Sequence, residues 1–382
     1  MSVVQQERSS ARKGTDHIAL IRELGPRFAA RAAGYDAADT FVAENYAELK
    51  SQGVFAAGIP TELGGGGATY PEICEMLRIL AQHCSSTALA LAMHTHLVAG
   101  MVWRWRQGQP VEPFLRRVAN EQLVLISTGA SDWLKGSGRA ERTDGGWRIN
   151  ARKIFGSGVP AGDFLITGAV WNDPKEGETV LHFPLSLKAE GVRVLDTWHV
   201  LGMRGTGSHD VAIENAFVPD NAVSARRPQG KWHFVLDLAV MVAWPMVYGV
   251  YLGIAETARD LAIQRSRERG RNDLDVCQLF GEMENELTVA RLVHADMVAI
   301  AARGEVGPET TNRIMIGRTL VGSAAIRAVE KAMEVSGGAA LYRGVGLERL
   351  FRDVQGARYH PLQQKAQHCY TGRMALGLEI DG

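Results

Sequence analysis

The sequence predicts an α+β protein in three parts: an N-terminal helical domain, a middle β-sandwich or barrel domain, and a C-terminal four-helix bundle. Three observations point there. Apolar residues recur at helical spacing from Asp16 to about Ala119. Between about Leu123 and Val223 the pattern shortens to runs bounded by glycine, proline and aspartate. From Trp232 onward helical spacing returns in long pieces. The 382 residues are more than one core usually serves, and the boundaries fall at 1–122, 123–228 and 229–382.

In the first part Ile18, Leu20, Ile21 and Leu24 make one apolar face, Phe41, Tyr46 and Leu49 a second, and Ile73, Leu77, Leu80 and Ala81 a third. Pro60 and the run Gly64–Gly67 interrupt this region with a tight loop. A largely apolar helix from Ser86 to Trp105 follows and carries His94 and His96. In the middle part Val124–Ser127, Trp147–Asn150, Phe164–Val170, Val180–Leu185, Val192–Leu195 and Val211–Phe217 read as strands. Asp144-Gly145-Gly146 supplies a hairpin turn, since glycine takes positive φ freely. Six strands without an intervening helical pattern exclude a βαβ sheet.

The last part reads as four antiparallel helices near Trp232–Arg267, Asp275–Arg303, Pro308–Val335 and Pro361–Leu378. Leu238–Ala255 has no charge over 18 residues, long enough to cross a bilayer. Asp237 and Glu256 bracket it, Pro245 and Gly249 interrupt it, and no basic cluster flanks it, so it reads as a core helix. Gly249 and Gly253, four apart, permit close helix contact.

Charge excludes other classes. Lysine plus arginine equals aspartate plus glutamate at 42 each, so the basic surplus of a nucleic-acid or anionic-membrane binder is missing. Cys74, Cys84, Cys277 and Cys369 lie far apart and read as buried thiols in a reducing compartment. Met1–Lys13 is polar, without an export signal, which makes a cytoplasmic location the expectation. Gly64–Gly67 lacks the Gly-Lys-Ser/Thr of a phosphate-binding loop, and no G-x-S-x-G elbow occurs. His94-x-His96 has no third ligand nearby, and residues two apart on a helix point to different sides, so no metal site is expected.

Several local motifs, in order, resemble the acyl-CoA dehydrogenase superfamily of flavoproteins. Pro60-x-Glu62-x-Gly64-Gly65 is similar to the family's P-x-E-x-G-G loop. Ala130-Ser131-Asp132 stands where the family carries Gly-Ser-Asp. Trp147 to Ser157 resembles its Y-x-L-N-G-x-K-x-W-I-T strand pair, and Leu201 to Thr206 through Val218-Pro219 its L-G-x-R-x-S…V-x-V-P segment. Gly337-Gly338 followed by Leu347 to Asp353 resembles G-G-x-G-Y…E-R-x-x-R-D. The resemblance covers Ile18 to Gly377 and implies FAD, a homo-oligomer (dimer or tetramer), and oxidation of the Cα–Cβ bond of an acyl-CoA or other acyl thioester, with electrons leaving through an electron-transfer flavoprotein.

By position, Phe155 would wall the isoalloxazine and Ser157 would place a hydroxyl near its N5 edge. Ser131 would meet the pyrophosphate, Ser127 or Thr128 would replace the threonine of the family's Thr-Glu-Pro, Gly337 and Gly338 would let backbone approach the adenosine end, and Arg267 would reach a neighbour's pyrophosphate. His94, His96 and Trp244 are the candidate substrate-side residues.

One departure bears on mechanism. Family members place a catalytic glutamate about eight residues past Arg-Asp, or on the first bundle helix. Here the first position is His360-Pro361-Leu362 and the second, near Val242–Trp244, also lacks an acid. Dehydrogenation needs a base within about 3 Å of the substrate's α-carbon. His360 is the nearest candidate, with an ordinary pKa near neutrality. His-Pro here also resembles the C-terminal type shared with flavin-dependent monooxygenases of the superfamily, which implies O2 and reduced FMN or FAD from a separate reductase. A third expectation is a flavin-binding protein that has lost its base.

Overall fold

The uncharged stretch becomes the axis of the molecule. In the computed structural model, which describes residues 16–128, 132–270 and 273–381, Phe234–Glu268 is one 35-residue helix whose most apolar window is 94% buried within the protein. Nine other α-helices accompany it among the described residues, so in chain order the set is α1 (His17–Ala38), α2 (Ala43–Ser51), α3 (Tyr70–His83), α4 (Ser85–Arg106), α5 (Glu112–Glu121), α6 (Phe234–Glu268), α7 (Leu274–Ala302), α8 (Pro308–Ser336), α9 (Leu347–Val354) and α10 (Gln364–Ala375). Helices α3 and α4 pack on α6, which also packs against α7 and α8.

Local chemistry explains why α6 tolerates its interruptions. Pro245 has no N–H, which frees the carbonyl one turn earlier. The Tyr70 hydroxyl donates to the Met241 and Val242 carbonyls at 3.2 and 3.0 Å and satisfies the gap. At Gly253 an added Cβ would stand 2.3 Å from the Arg78 carbonyl, so this glycine sets how near α3 can come. Glu256, buried at the end of the apolar stretch, is paired with Arg78 and with Arg291 Nε at 2.9 Å, and accepts from Gln82 Nε2 at 2.8 Å.

Among the described residues eight strands form the sheet: β1 (Leu125–Ser127), β2 (Arg139–Thr143), β3 (Gly146–Lys153), β4 (Phe164–Asp173), β5 (Gly177–Ser186), β6 (Val192–Val194), β7 (Val211–Pro219) and β8 (Ala225–Pro228). Their order is β6-β7-β3-β2-β4-β5-β8, with β1 parallel to β4. Two four-stranded halves meet where β2 touches β4 at the single pair Arg139↔Val170. The α+β class and its three-part order stand. The sequence pattern misses β2 and β8: Arg-Ala-Glu-Arg-Thr buries only Ala140, and Ala-Arg-Arg-Pro buries only Arg227, so neither shows apolar alternation. It also misses the short α9. The expectation of four buried cysteines is corrected: Cys74 and Cys84 are buried, whereas Cys277 and Cys369 lie exposed on outward faces of α7 and α10.

Candidate functional site

Between the sheet and helices α4 and α6 lies a cavity of about 1000 Å³, at the upper end of the roughly 300–1,000 Å³ common for small-molecule sites. Its sheet-side wall is built from strand ends. Ser127 and Thr128 close β1, and Thr128 Oγ1 meets Thr167 Oγ1 of β4 at 2.8 Å. Just past β3, Phe155 sits at φ 60 and is 47% exposed. A phenylalanine in the left-handed region is strained by about 1–2 kcal/mol. Its flanks hold it there: Gly156 N–H donates to the His209 carbonyl at 3.1 Å, and the Trp198 ring stands edge-on at 6.0 Å. His209 Nδ1 in turn accepts from the backbone N–H of Thr197 and Trp198. Ser157 Oγ continues into a hydroxyl chain, through Ser208 Oγ at 2.8 Å and Thr206 Oγ1 at 2.7 Å to the Met203 carbonyl at 2.8 Å.

Trp244 and Tyr251 make the helix-side wall aromatic, with Tyr248 fully buried outside the lining. Trp244, Tyr248 and Tyr251 lie one turn apart on α6, at i, i+4 and i+7, so they share a face. Their rings stand 6.0, 6.2 and 5.6 Å from that of His360. The Tyr251 hydroxyl and His360 Nε2 are 2.6 Å apart. Gly356 makes this possible, because a Cβ there would approach the Tyr251 hydroxyl to 2.7 Å. Buried Arg318 of α8 donates to the carbonyls of Ala357, Arg358 and His360, at 3.3, 3.4 and 2.7 Å, and so fixes the turn before α10. Burial and then the Arg318 cation pull the His360 pKa down to about 3, so the ring is neutral at neutral pH.

A buried lysine anchors the cavity's edge. Lys153 Nζ, fully buried, donates to Asp132 Oδ2 and the Gly168 carbonyl at 2.6 Å, to the Ser137 carbonyl at 2.8 Å, and to Ser137 Oγ at 2.9 Å. Arg227, 1% exposed, donates to the carbonyls of Asp132, Trp133 and Leu134. Together they fasten the segment that follows Ser131.

The cavity gathers seven of the residues singled out from sequence: Ser127, Thr128, Phe155, Ser157, His96, Trp244 and His360. His96 Nδ1 donates to the Ala92 carbonyl at 3.0 Å, which leaves Nε2 without a proton, and burial pulls its pKa to about 4. His94 lies outside the cavity wall. Its Nε2 donates to the Phe55 carbonyl at 2.8 Å and its Nδ1 accepts from Leu125 N–H at 3.0 Å, which consumes both nitrogens in joining α4 to β1. Gly337 and Gly338 end α8 on the surface and Arg267 is exposed near the end of α6, none of them lining the cavity. Ser131 falls outside the described residues. Sequence reasoning missed Tyr251, although its spacing from Trp244 could have revealed it. Lys153 stands at the lysine of the Trp147–Ser157 motif but was given no role, and nothing local in the sequence announced Trp198 or Ser208.

A flavin fits what these residues offer. The space accommodates a planar tricyclic ring with a second molecule beside it, Phe155 presents an exposed aromatic face, and Ser127, Thr128 and Ser157 bring hydroxyls to the same wall. The indole N–H groups of Trp133 and Trp244 are buried there without a hydrogen-bond partner.

These features define a flavin-dependent oxidoreductase. The chain belongs to the acyl-CoA dehydrogenase family: the family's N-terminal domain matches residues 20–122 and its C-terminal domain residues 246–365, together more than half of the chain. Protein YdbM of Bacillus subtilis, provisionally assigned as an acyl-CoA dehydrogenase, is 28% identical over 360 residues, 89% of this chain and 91% of that one. An L-evernosamine nitrososynthase of a Micromonospora species is 29% identical over 392 residues, 96% and 91% of the two chains. The crystal structure of KijD3 with FMN and dTDP-3-amino-2,3,6-trideoxy-4-keto-3-methyl-D-glucose superposes with a TM-score of 0.88 at 25% identity, over 98% of this chain and 97% of that one.

Proposed function

We propose that the protein is a reduced-flavin-dependent monooxygenase on the acyl-CoA dehydrogenase scaffold, rather than an α,β-dehydrogenase of acyl thioesters. The observation that carries this reading is that no carboxylate among the cavity's described lining residues stands free to act as the base. Asp132 is the one carboxylate among its described lining residues, and Lys153 holds it at 2.6 Å. His360 is a poor substitute, because the burial and the Arg318 charge that draw its pKa to about 3 also disfavour the imidazolium that proton abstraction would create. Similarity to a nitrososynthase and to a protein holding FMN with an amino sugar supports oxygen transfer and supports FMN as the flavin.

When bound, reduced FMN supplies two electrons to O2, one oxygen atom passing to the substrate and the other leaving as water. Phe155, Ser127, Thr128 and Ser157 would hold it. Burial raises the Tyr251 hydroxyl well above its ordinary pKa, so Tyr251 remains a donor and His360 Nε2 its acceptor. The proton of neutral His360 then resides on Nδ1, the N–H available to the chemistry. Trp244 and Tyr251 of the cavity wall, with Tyr248 packed beside the imidazole, exclude water from that group. A separate flavin reductase as partner, a cytoplasmic location and a dimer or tetramer complete the proposal. For the last, Leu274 and Leu292 of α7 and Leu376 just past α10 are 83%, 68% and 75% exposed.

The test is reconstitution with a flavin reductase, NADH and either FMN or FAD, followed by mass spectrometry for an oxygen atom from ¹⁸O₂ in the products of a panel of amines and aromatic acids. Labelled product that requires the reductase is expected. Bleaching of bound flavin by an acyl-CoA under anaerobic conditions would overturn the proposal in favour of dehydrogenation.

A further inference from the structure

The end of the cavity away from His360 has an excess of positive charge. Arg104, in the last turn of α4, lines the cavity and is partly buried. Its hydrogen-bond partners among the described residues are neutral: Gln109 Oε1 at 2.7 Å and the Ser224 carbonyl at 3.3 Å. It makes no ion pair with a carboxylate among those residues. Arg227 lines the same end with its donors spent on carbonyls and on His182 Nε2 at 3.1 Å, while the neighbouring Arg226 guanidinium turns away over the Trp147 and Trp171 rings. Asp132 is already engaged by Lys153. Burial, followed by the charges of Arg227, Lys153, His233 and Arg104, draws the His182 pKa to about 3, so the local field is felt by a neighbouring ring. A cation held in an apolar cavity without a counter-charge is costly unless a ligand supplies one.

The path to Arg104 has a definite shape. Met93, Leu97 and Gly100 follow one another along α4 at helical spacing, all line the cavity, and Arg104 ends the row. His96, near the aromatic wall, is eight residues earlier, which at 1.5 Å per residue is about 12 Å along the helix axis. We infer that the substrate is an elongated organic acid whose apolar body lies along this row and whose carboxylate or phosphate is received by the Arg104 guanidinium. Arginine's forked donors suit either anion. The inference deepens the monooxygenase reading and rests on the same cavity as its substrate site.

The alternative source of the anion is the flavin's own phosphate, and binding measurements without turnover separate the two. Calorimetry on the full chain would compare 6-phenylhexanoate with the neutral 6-phenylhexanol, and FMN with riboflavin, for wild type, Arg104→Gln and Arg104→Lys. The acid is expected to bind wild type at least about ten-fold more tightly than the alcohol. Arg104→Gln should erase that preference and Arg104→Lys should keep part of it, with the FMN-to-riboflavin ratio unchanged in both. Equal binding of acid and alcohol to wild type, or no saturable binding of the acid, overturns the inference even without variants. Loss of FMN preference over riboflavin in Arg104→Gln also overturns it, assigning the cation to the cofactor. Failure of the ¹⁸O₂ experiment with this preference intact would instead dismiss the oxygenase reading and leave the anion site standing.

Discussion

The two walls of the cavity are made of opposite materials. On the sheet side, hydroxyls are chained to one another and to backbone, as in Ser157–Ser208–Thr206 and Thr128–Thr167. On the helix side, three aromatic rings on one face of α6 enclose His360. The contrast follows from how each element presents side chains. Strand and loop ends bring short polar groups together in pairs that can exchange partners when a ligand arrives. A helix offers bulky residues every three or four positions, and these exclude water and hold a neutral imidazole. One wall is suited to gripping a polar ring edge, the other to chemistry away from solvent.

Lys153→Met should break the sheet side most severely. It leaves Asp132 without its cation and three other acceptors unmet, so a loss of about 3–5 kcal/mol in urea unfolding is expected. A change below about 1 kcal/mol would mean that the lysine does not anchor that edge. On the helix side, His360→Ala should lower turnover about 100-fold or more while FMN affinity stays within about two-fold, and Tyr251→Phe should cost about ten-fold. Parallel losses of flavin binding would erase the division of labour between the walls.

Acid sharpens the comparison in another way. His94 and His96 are buried and neutral, both with pKa values drawn to about 4 chiefly by burial. Unfolded, each titrates near 6.5, so between about pH 6.5 and 4 the unfolded chain binds more protons. Stability is therefore full above pH 6.5 and falls as pH drops, by up to about 1.4 kcal/mol per pH unit for each histidine. Glutamine at position 94 or 96 should flatten the slope in denaturant titrations across that window. The smallest effect is expected for Ser157→Ala, about ten-fold weaker FMN binding with turnover of the saturated enzyme nearly unchanged.

Much of this was legible in the chain. Helical period, turn residues and motif order gave the three-part architecture, and seven of the residues singled out converge on one cavity. What was not legible has physical causes. β2 and β8 carry arginines where an apolar alternation would have marked a strand, because β2 touches β4 at one position and β8 lies at the sheet's end. His94 and His96 look equivalent in sequence, but two residues rotate a helix by about 200°, so His94 spends both nitrogens on backbone while only His96 reaches the cavity. Arg104 reads as an ordinary helix-terminal cation until the fold shows that its hydrogen-bond partners among the described residues are all neutral. The start of α10 shifts from Pro361 to Gln364 because Arg318, distant in sequence, draws the preceding carbonyls toward itself.

Asp353 has a consequence for the cavity's surroundings. Buried at the end of α9, it accepts from the Ser85 hydroxyl at the head of α4 and from the Met203 backbone N–H. One side chain thus rivets three separate stretches of chain together at a single corner. Swinging that corner outward would strand a desolvated charge, whereas Phe234, in the first turn of α6, lines the cavity and is half in water. Three stretches far apart in sequence thus keep one fixed meeting point beside the cavity, which Met203 and Arg352 line.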